Sequence, residues 1–393
     1  MKTQFKILLL MLITSAIGYG QRHNILKESI SVDKNSSIIL NIENIYVAIE
    51  ESTDGKIHFD YSIEFDGYSK KEIEKKLDEI IAEVSNFDNG VTLKAISKSQ
   101  ITFETFEFKA EHGISIDDKY FSKNKESIIR KSKDSLLKEM RVNNRLAWSK
   151  SPLKYINDRF KKLNKEGKLT NLRRGNIDIM RSQFVIKLPP FVKLNINSKN
   201  SGIYLRNDLP NELSIILNSG TFKTKALYHP YNRVKIEDAN FETEAIVGGD
   251  FELKNIKNGK IGSIQKAKLK SEFSKVEIGE IDRNTTITDF NSEYWFYNWA
   301  DKFERFNLYS EYSKIHFFYP EANHSFKVIG NNTKNLLGNG DFEINMQPTS
   351  KGEKYTMMVK EPNPNQPLGG RIFFDIVHGI IYSHNDSIKK INN

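Results

Sequence analysis

The chain is predicted to be all-β: a single-stranded parallel β-solenoid, or β-helix, with one capping helix near the N-terminus and a partly helical basic insertion. Three observations carry this expectation. An apolar position recurs at Ile196, Ile215, Val234, Leu253, Leu269, Ile287, Leu308 and Val328, at gaps of 19, 19, 19, 16, 18, 21 and 20 residues. A period near twenty marks a repeat architecture. Within each unit apolar and polar residues alternate, as in "KAKLKSEFSKVEIGEI" (266–281), which is the pattern of short strands. In most units a second apolar or aromatic residue follows seven positions on, at Ile203, Phe222, Phe241, Val276, Tyr294 and Ile315; the unit of Leu253 fits only at eight, with Ile261. One such unit cannot bury its own apolar face, whereas stacked units share one core. An antiparallel sandwich is the alternative, but hairpin-type Asn-Gly pairs are few (89–90, 258–259, 339–340).

Residues 1–20 carry an early positive charge (Lys2, Lys6), a short apolar run and small residues at the end, the pattern of a secretory signal peptide. Residues 21–100 hold strand-like text, "SIILNIENIYVAIEE" and "KIHFDYSIEF", resembling a first coil. A helix is expected over 70–84, opened by a Ser69–Glu72 capping box and closed by the Asn89-Gly90 turn into "VTLKAIS". Residues 101–183 break the rhythm and are read as an insertion. Residues 184–393 form the main solenoid, with "RIFFDIVHGIIY" (371–382) as its last coil or cap.

Composition narrows the chemistry. With no cysteine there is no disulfide, no thiolate metal site and no lipoprotein anchor. No apolar run beyond the leader is long enough to span a bilayer as a helix. The expected location is therefore the periplasm, the outer surface or the medium. Net charge is +9, yet residues 119–174 alone hold 18 Lys/Arg against 5 Asp/Glu. This stretch, with Lys161, Lys162, Arg173 and Arg174, is a candidate contact for an anionic envelope polymer or a membrane surface. Nucleic acid is not expected, because base-stacking aromatics are not interleaved with the charges. The eight histidines are scattered, and no nucleophile elbow, Walker loop or dinucleotide fingerprint occurs. Two Gly-Asp-Phe-Glu loops (249–252 and 340–343) are taken as plain turns. Glu242/Glu244 and Glu277/Glu280 could align on neighbouring coils as glycosidase-like pairs, which a solvated sheet also produces by default. No catalytic residue, metal ligand or cofactor is assigned. In the aromatic run 294–319, alternation cannot turn Trp295, Tyr297 and Trp299 inward together with Phe296, so those three are the candidate ligand contacts.

The strings "LNIENIYVAIEE", "FVIKLPPFVKLNINSKNSGIYL" and "AKLKSEFSKVEIGEI" resemble the "putative adhesin" family of bacterial envelope proteins over roughly 28–100 and 184–345. The resemblance implies a right-handed β-solenoid and, by shape analogy, a non-enzymatic adhesin-like role, contacting glycan or an envelope protein. It supplies no active-site motif. The alternatives are a periplasmic structural or signalling partner that docks through the basic insertion, and a polysaccharide-active enzyme.

Overall fold

The computed structural model describes residues 21–108, 130–148, 177–338, 343–348 and 354–384. The leader lies outside them, as do Lys161, Lys162, Arg173 and Arg174. The first part contains β1 (Gln21–Ser31), β2 (Ser37–Glu51), β3 (Lys56–Asp66), α1 (Lys70–Leu77), β4 (Ile80–Phe87), β5 (Gly90–Ile101), β6 (Glu104–Phe108), α2 (Lys133–Trp148) and β7 (Ile177–Leu188). The middle contains β8 (Lys193–Leu205), β9 (Leu213–Leu227), β10 (Arg233–Lys254), β11 (Gly259–Glu272), β12 (Lys275–Ile281), β13 (Thr285–Phe290), β14 (Glu293–Trp299), β15 (Glu304–Glu311) and β16 (Lys314–Phe318). The last part contains β17 (His324–Asn331), β18 (Lys334–Leu336), β19 (Glu343–Pro348), β20 (Lys354–Lys360), β21 (Gly370–Val377) and β22 (Ile380–His384).

From β8 to β16 the pairing is parallel, each unit lying on the one before. A unit has two arms meeting at a corner. First arms align Ile196–Ile215–Val234 and, further on, Leu269–Ile287–Leu308. Second arms align Ile203–Phe222–Phe241–Gly259–Val276–Tyr294–Ile315. The inward side chains of both arms share one core; Phe296 of β14 meets Phe306 of β15 edge-on at 5.2 Å. Each such buried side chain contributes about 1.5–3 kcal/mol.

The corners explain why so few glycines are needed. Asn44, Asn200, Phe273, Asn291, Tyr312 and Asn332 all hold φ between 50° and 59°. Asparagine tolerates this left-handed region better than other side chains do. The next residue is often serine, whose hydroxyl stands in for the ladder. Ser292 Oγ accepts Ser274 N–H at 3.0 Å and donates to Phe290 O at 3.2 Å, and Ser313 repeats this one unit on.

The sheet is mixed, not wholly parallel as expected. β2 pairs in parallel with β8, 156 residues away, and with β5 on its other side. The intervening chain makes antiparallel pairs: β3 with β1 and β7, β6 with β7, and β4 with β5. β20 is antiparallel to both β17 and β19. The helix expected over 70–84 ends at Leu77, with Asp78 as its cap. Ile80, Ala82 and Val84 alternate instead in β4, which turns through Asp88-Asn89 back along β5. Local period two and a two-residue hairpin loop prevail over the helical spacing. The 371–382 segment is not the last unit: β21 lies between β15 and β17, and β22 between β16 and β18.

Candidate functional site

The two arms present two outer faces of different character. On the second arms, outward residues align in register as Tyr204–Lys223–Glu242–Lys260–Glu277–Trp295–His316–Tyr382. α2 covers the middle of this row. Its Leu136 and Met140 are buried, and Leu136 and Leu137 rest where Gly262 and Gly279 stand side by side. A Cβ on Gly262 would lie 2.6 Å from Leu137 Cδ2, and one on Gly279 3.3 Å from Leu136 Cδ2. The two glycines thus make the seat. Around it Lys131 bonds Glu277 at 2.6 Å and Glu139 at 3.2 Å, Lys133 bonds Glu280 at 2.9 Å, and Arg141 pairs with Glu244 at 3.0 Å. Lys260 pairs with Glu139, and Lys223 with Glu242 at 3.0 Å. Burial lowers the Lys131 pKa, but Glu277 and Glu139 outweigh it and hold the ammonium above its ordinary range. Burial likewise raises Glu139, and Lys260 and Lys131 reverse this, leaving it below the ordinary carboxylate range. All four carboxylates of the glycosidase-like pairs therefore face cations of this chain.

The three aromatic candidates have different places. Trp299 is 9% exposed and lies in the core against Phe303 and Phe306, donating its indole N–H to Phe318 O at 2.7 Å. Tyr297, 4% exposed, points outward but lies under the chain entering α2. Its hydroxyl donates to Glu277 at 2.8 Å, and Arg130 Nε donates to its carbonyl at 2.9 Å. Trp295 is half-buried. His316 stacks on it at 3.9 Å, and Tyr382 stacks on His316 at 4.5 Å. A sugar laid on that indole face would have to displace His316. His316 Nδ1 is 3.1 Å from His384 Nε2, so one ring donates and the other accepts. Burial, then the neighbouring His384, pushes His316 down to about 4.

The first-arm face is open. A groove of about 650 Å³ runs across it, lined by Ile216, Arg233, Lys235, Asp250, Glu252, Lys268, Lys270, Thr286 and Thr288 among others. Part of its charge is paired internally, Lys235 with Glu252 at 3.5 Å. At its border the corner residues form an exposed aromatic stripe. Phe273 meets Phe290 at 5.5 Å, Phe290 meets Tyr312 at 5.8 Å, and Tyr312 stacks on His378 at 5.0 Å. Phe273 and Tyr312 are 49% and 53% exposed, and Tyr309 lies exposed nearby. The sequence reading missed this stripe, although Phe273, Phe290 and Tyr312 recur at gaps of 17 and 22 residues next to serine or asparagine.

A second cavity, of about 560 Å³, lies over β1, β3 and β7. Here Ser29 Oγ is 2.8 Å from His58 Nδ1, and His58 Nε2 is 2.9 Å from Asp54. The bond from His58, then that from Ser52, holds the Asp54 carboxyl down at about 2. Hydroxyl, imidazole and carboxylate stand in the order of an activated nucleophile. Their proximity follows from register, since Ser29 and His58 are cross-strand partners, and water reaches all three. Among the described residues no group of three or more His, Asp or Glu is placed to hold a metal ion. No described helix is long and apolar enough to cross a membrane, which says nothing of spanning by strands.

No family model and no curated protein matches the chain. It is similar to the crystal structure of "a putative cell adhesion protein" from Clostridium sporogenes, at 9% identity over 93% of this chain and 100% of that one, with a TM-score of 0.16. A likeness of that size carries no argument.

Proposed function

We propose that this is an exported, non-enzymatic, adhesin-like protein of the bacterial envelope, wound as a β-solenoid, which meets a glycan or protein through its first-arm face. The observation that carries the reading is the exposed row Phe273–Phe290–Tyr312 beside the groove of Lys268, Lys270, Thr286 and Thr288. Exposed contiguous aromatics rimmed by polar groups suit stacking on sugar rings or anchoring a protein partner. Two of the three also hold a backbone conformation that disfavours bulky side chains. A role in folding alone would be met better by asparagine, as at Asn291.

The Ser29–His58–Asp54 array is taken as the polar dressing of a strand pair. Docking through the basic insertion finds less support, because Lys131, Lys133 and Arg141 are already engaged by Glu277, Glu280 and Glu244. The test is a Phe273→Asn/Tyr312→Asn double variant on a glycan array and in pull-downs from envelope fractions. Binding should drop tenfold or more with the fold intact. Undiminished binding would sink the proposed site.

A further inference from the structure

The last unit to be made is not the last in space. β21 is bonded on one side to β15, from Glu304↔Gly370 to Glu311↔Val377. On the other it is bonded to β17, from His324↔Gly370 to Asn331↔Val377. β22 lies in the same way between β16 and β18. Yet β17 to β20 precede β21 in the chain. Consecutive strands usually neighbour one another. Here the chain passes one place, lays strands beyond it, and comes back to fill it. The return runs through residues 361–369, across the start of β17. Asn323 Nδ2 donates to Asn363 O at 2.9 Å and to Gln366 O at 3.0 Å, and Gly369 N–H donates to Asn323 O at 2.8 Å.

The slot recognises the segment, not the tether. Ile372, Phe374, Ile376 and Ile381 are buried in it, and Phe374 meets Phe326 at 5.0 Å and Phe317 at 5.6 Å. The entrance is narrow. A Cβ on Gly370 would stand 2.3 Å from the Phe303 ring, and one on Gly369 2.6 Å from Asp301 O. The tether holds Pro362, Pro364 and Pro367, which favour an extended course over a tight return.

We propose that this slot takes segment 370–384 from a second copy of the chain as well as from its own, so that two molecules exchange their penultimate units. Exchange of an identical element keeps every contact of the slot and alters only the tether, which makes it a low-cost route to association. Reciprocal exchange gives a dimer; one-way exchange gives longer chains.

The chain has no cysteine, so introduced thiols report without interference. Arg305 and Arg371 are exposed and directly opposite one another. Full-length chains carrying Arg305→Cys alone and Arg371→Cys alone are mixed, unfolded, refolded together and oxidised. A disulfide-linked heterodimer is expected. The control mixes Lys268→Cys with Thr286→Cys chains, whose residues are opposite one another in a part laid down in chain order, and should give none. A chain with both Arg305→Cys and Arg371→Cys, oxidised as a monomer, confirms that the pair can bond and should no longer exchange. If the first mixture yields no more heterodimer than the control, the slot is closed to other copies and the proposal fails.

Discussion

Replacing Trp299 by alanine should unfold the protein before it weakens any contact. The indole is buried, packs at 5.1 Å and 5.2 Å from Phe303 and Phe306, and donates to the Phe318 carbonyl. Removing a core tryptophan costs about 3–5 kcal/mol through lost transfer energy and the cavity left behind. A carbonyl deprived of its donor adds about 1 kcal/mol. The sum, about 4–6 kcal/mol, is a large share of the ~5–15 kcal/mol that holds a typical domain together.

Trp299→Phe keeps most of the apolar volume and loses the N–H, so about 1–2 kcal/mol is expected. Trp295→Ala removes a half-buried stack on His316 and should cost about 1 kcal/mol. Equilibrium urea unfolding followed by far-ultraviolet circular dichroism ranks the three by midpoint, provided the slopes agree. Should Trp299→Ala cost less than Trp295→Ala, the placement of Trp299 in the core is wrong and its reading as a surface contact returns.

Two further outcomes are expected. Leu136→Asp puts a carboxylate into the seat of α2 beside Glu277 and Glu280. Tryptic cleavage after Lys133 and Arg141 should then quicken at least tenfold while the sheet's dichroism is unchanged; unaltered protection would show that α2 is held by something other than this seat. The second concerns pH. The folded His316 pKa, pushed down to about 4 by burial and by His384, lies below the unfolded value of about 6.5. Below pH 6.5 the unfolded chain therefore binds more protons at this site, so its contribution to stability is full above that pH and declines as pH falls towards 4. The midpoint should drop between pH 7 and 5 by more in the parent than in His316→Gln. Equal drops would assign the effect to other groups.

How much was legible depends on whether the signal was local. The inward Ile196–Ile215–Val234 and Leu269–Ile287–Leu308 ladders were visible because inward positions must be apolar and units nearly equal in length. The phase fails at Leu253, which is opposite Ser271 rather than Leu269, because the corner after β10 lies at Asn255 and shortens the unit. Val328 follows Leu308 in the text but has Phe374 between them in space, a pairing that no local pattern reports. Trp299 was placed outside by counting alternation through Tyr297-Asn298, where Asn298 bends out to bond Gly279 O and resets the count. The seat of α2 did leave a trace, Ile261-Gly262 and Ile278-Gly279 at equivalent positions, but neither names the helix that fills it. Glu242/Glu244 and Glu277/Glu280 do not lie on neighbouring units, since Lys260 stands between Glu242 and Glu277, and the cations of Glu244, Glu277 and Glu280 come from more than a hundred residues away.

At two corners stability and surface chemistry pull apart. A left-handed conformation costs an ordinary side chain about 1–2 kcal/mol, and asparagine meets it more cheaply. Phe273 and Tyr312 hold it at φ 51° and 57°, while Asn291 holds it between them at 52°. Burial does not repay the difference, since both rings are about half exposed. The Phe273→Asn/Tyr312→Asn variant should therefore be no less stable than the parent, and up to about 1 kcal/mol more stable per site. A gain in midpoint together with a loss of binding would mean that these corners are shaped for contact. A loss of both would mean that the rings shield the corner hydrogen bonds, and the stripe would then be structural.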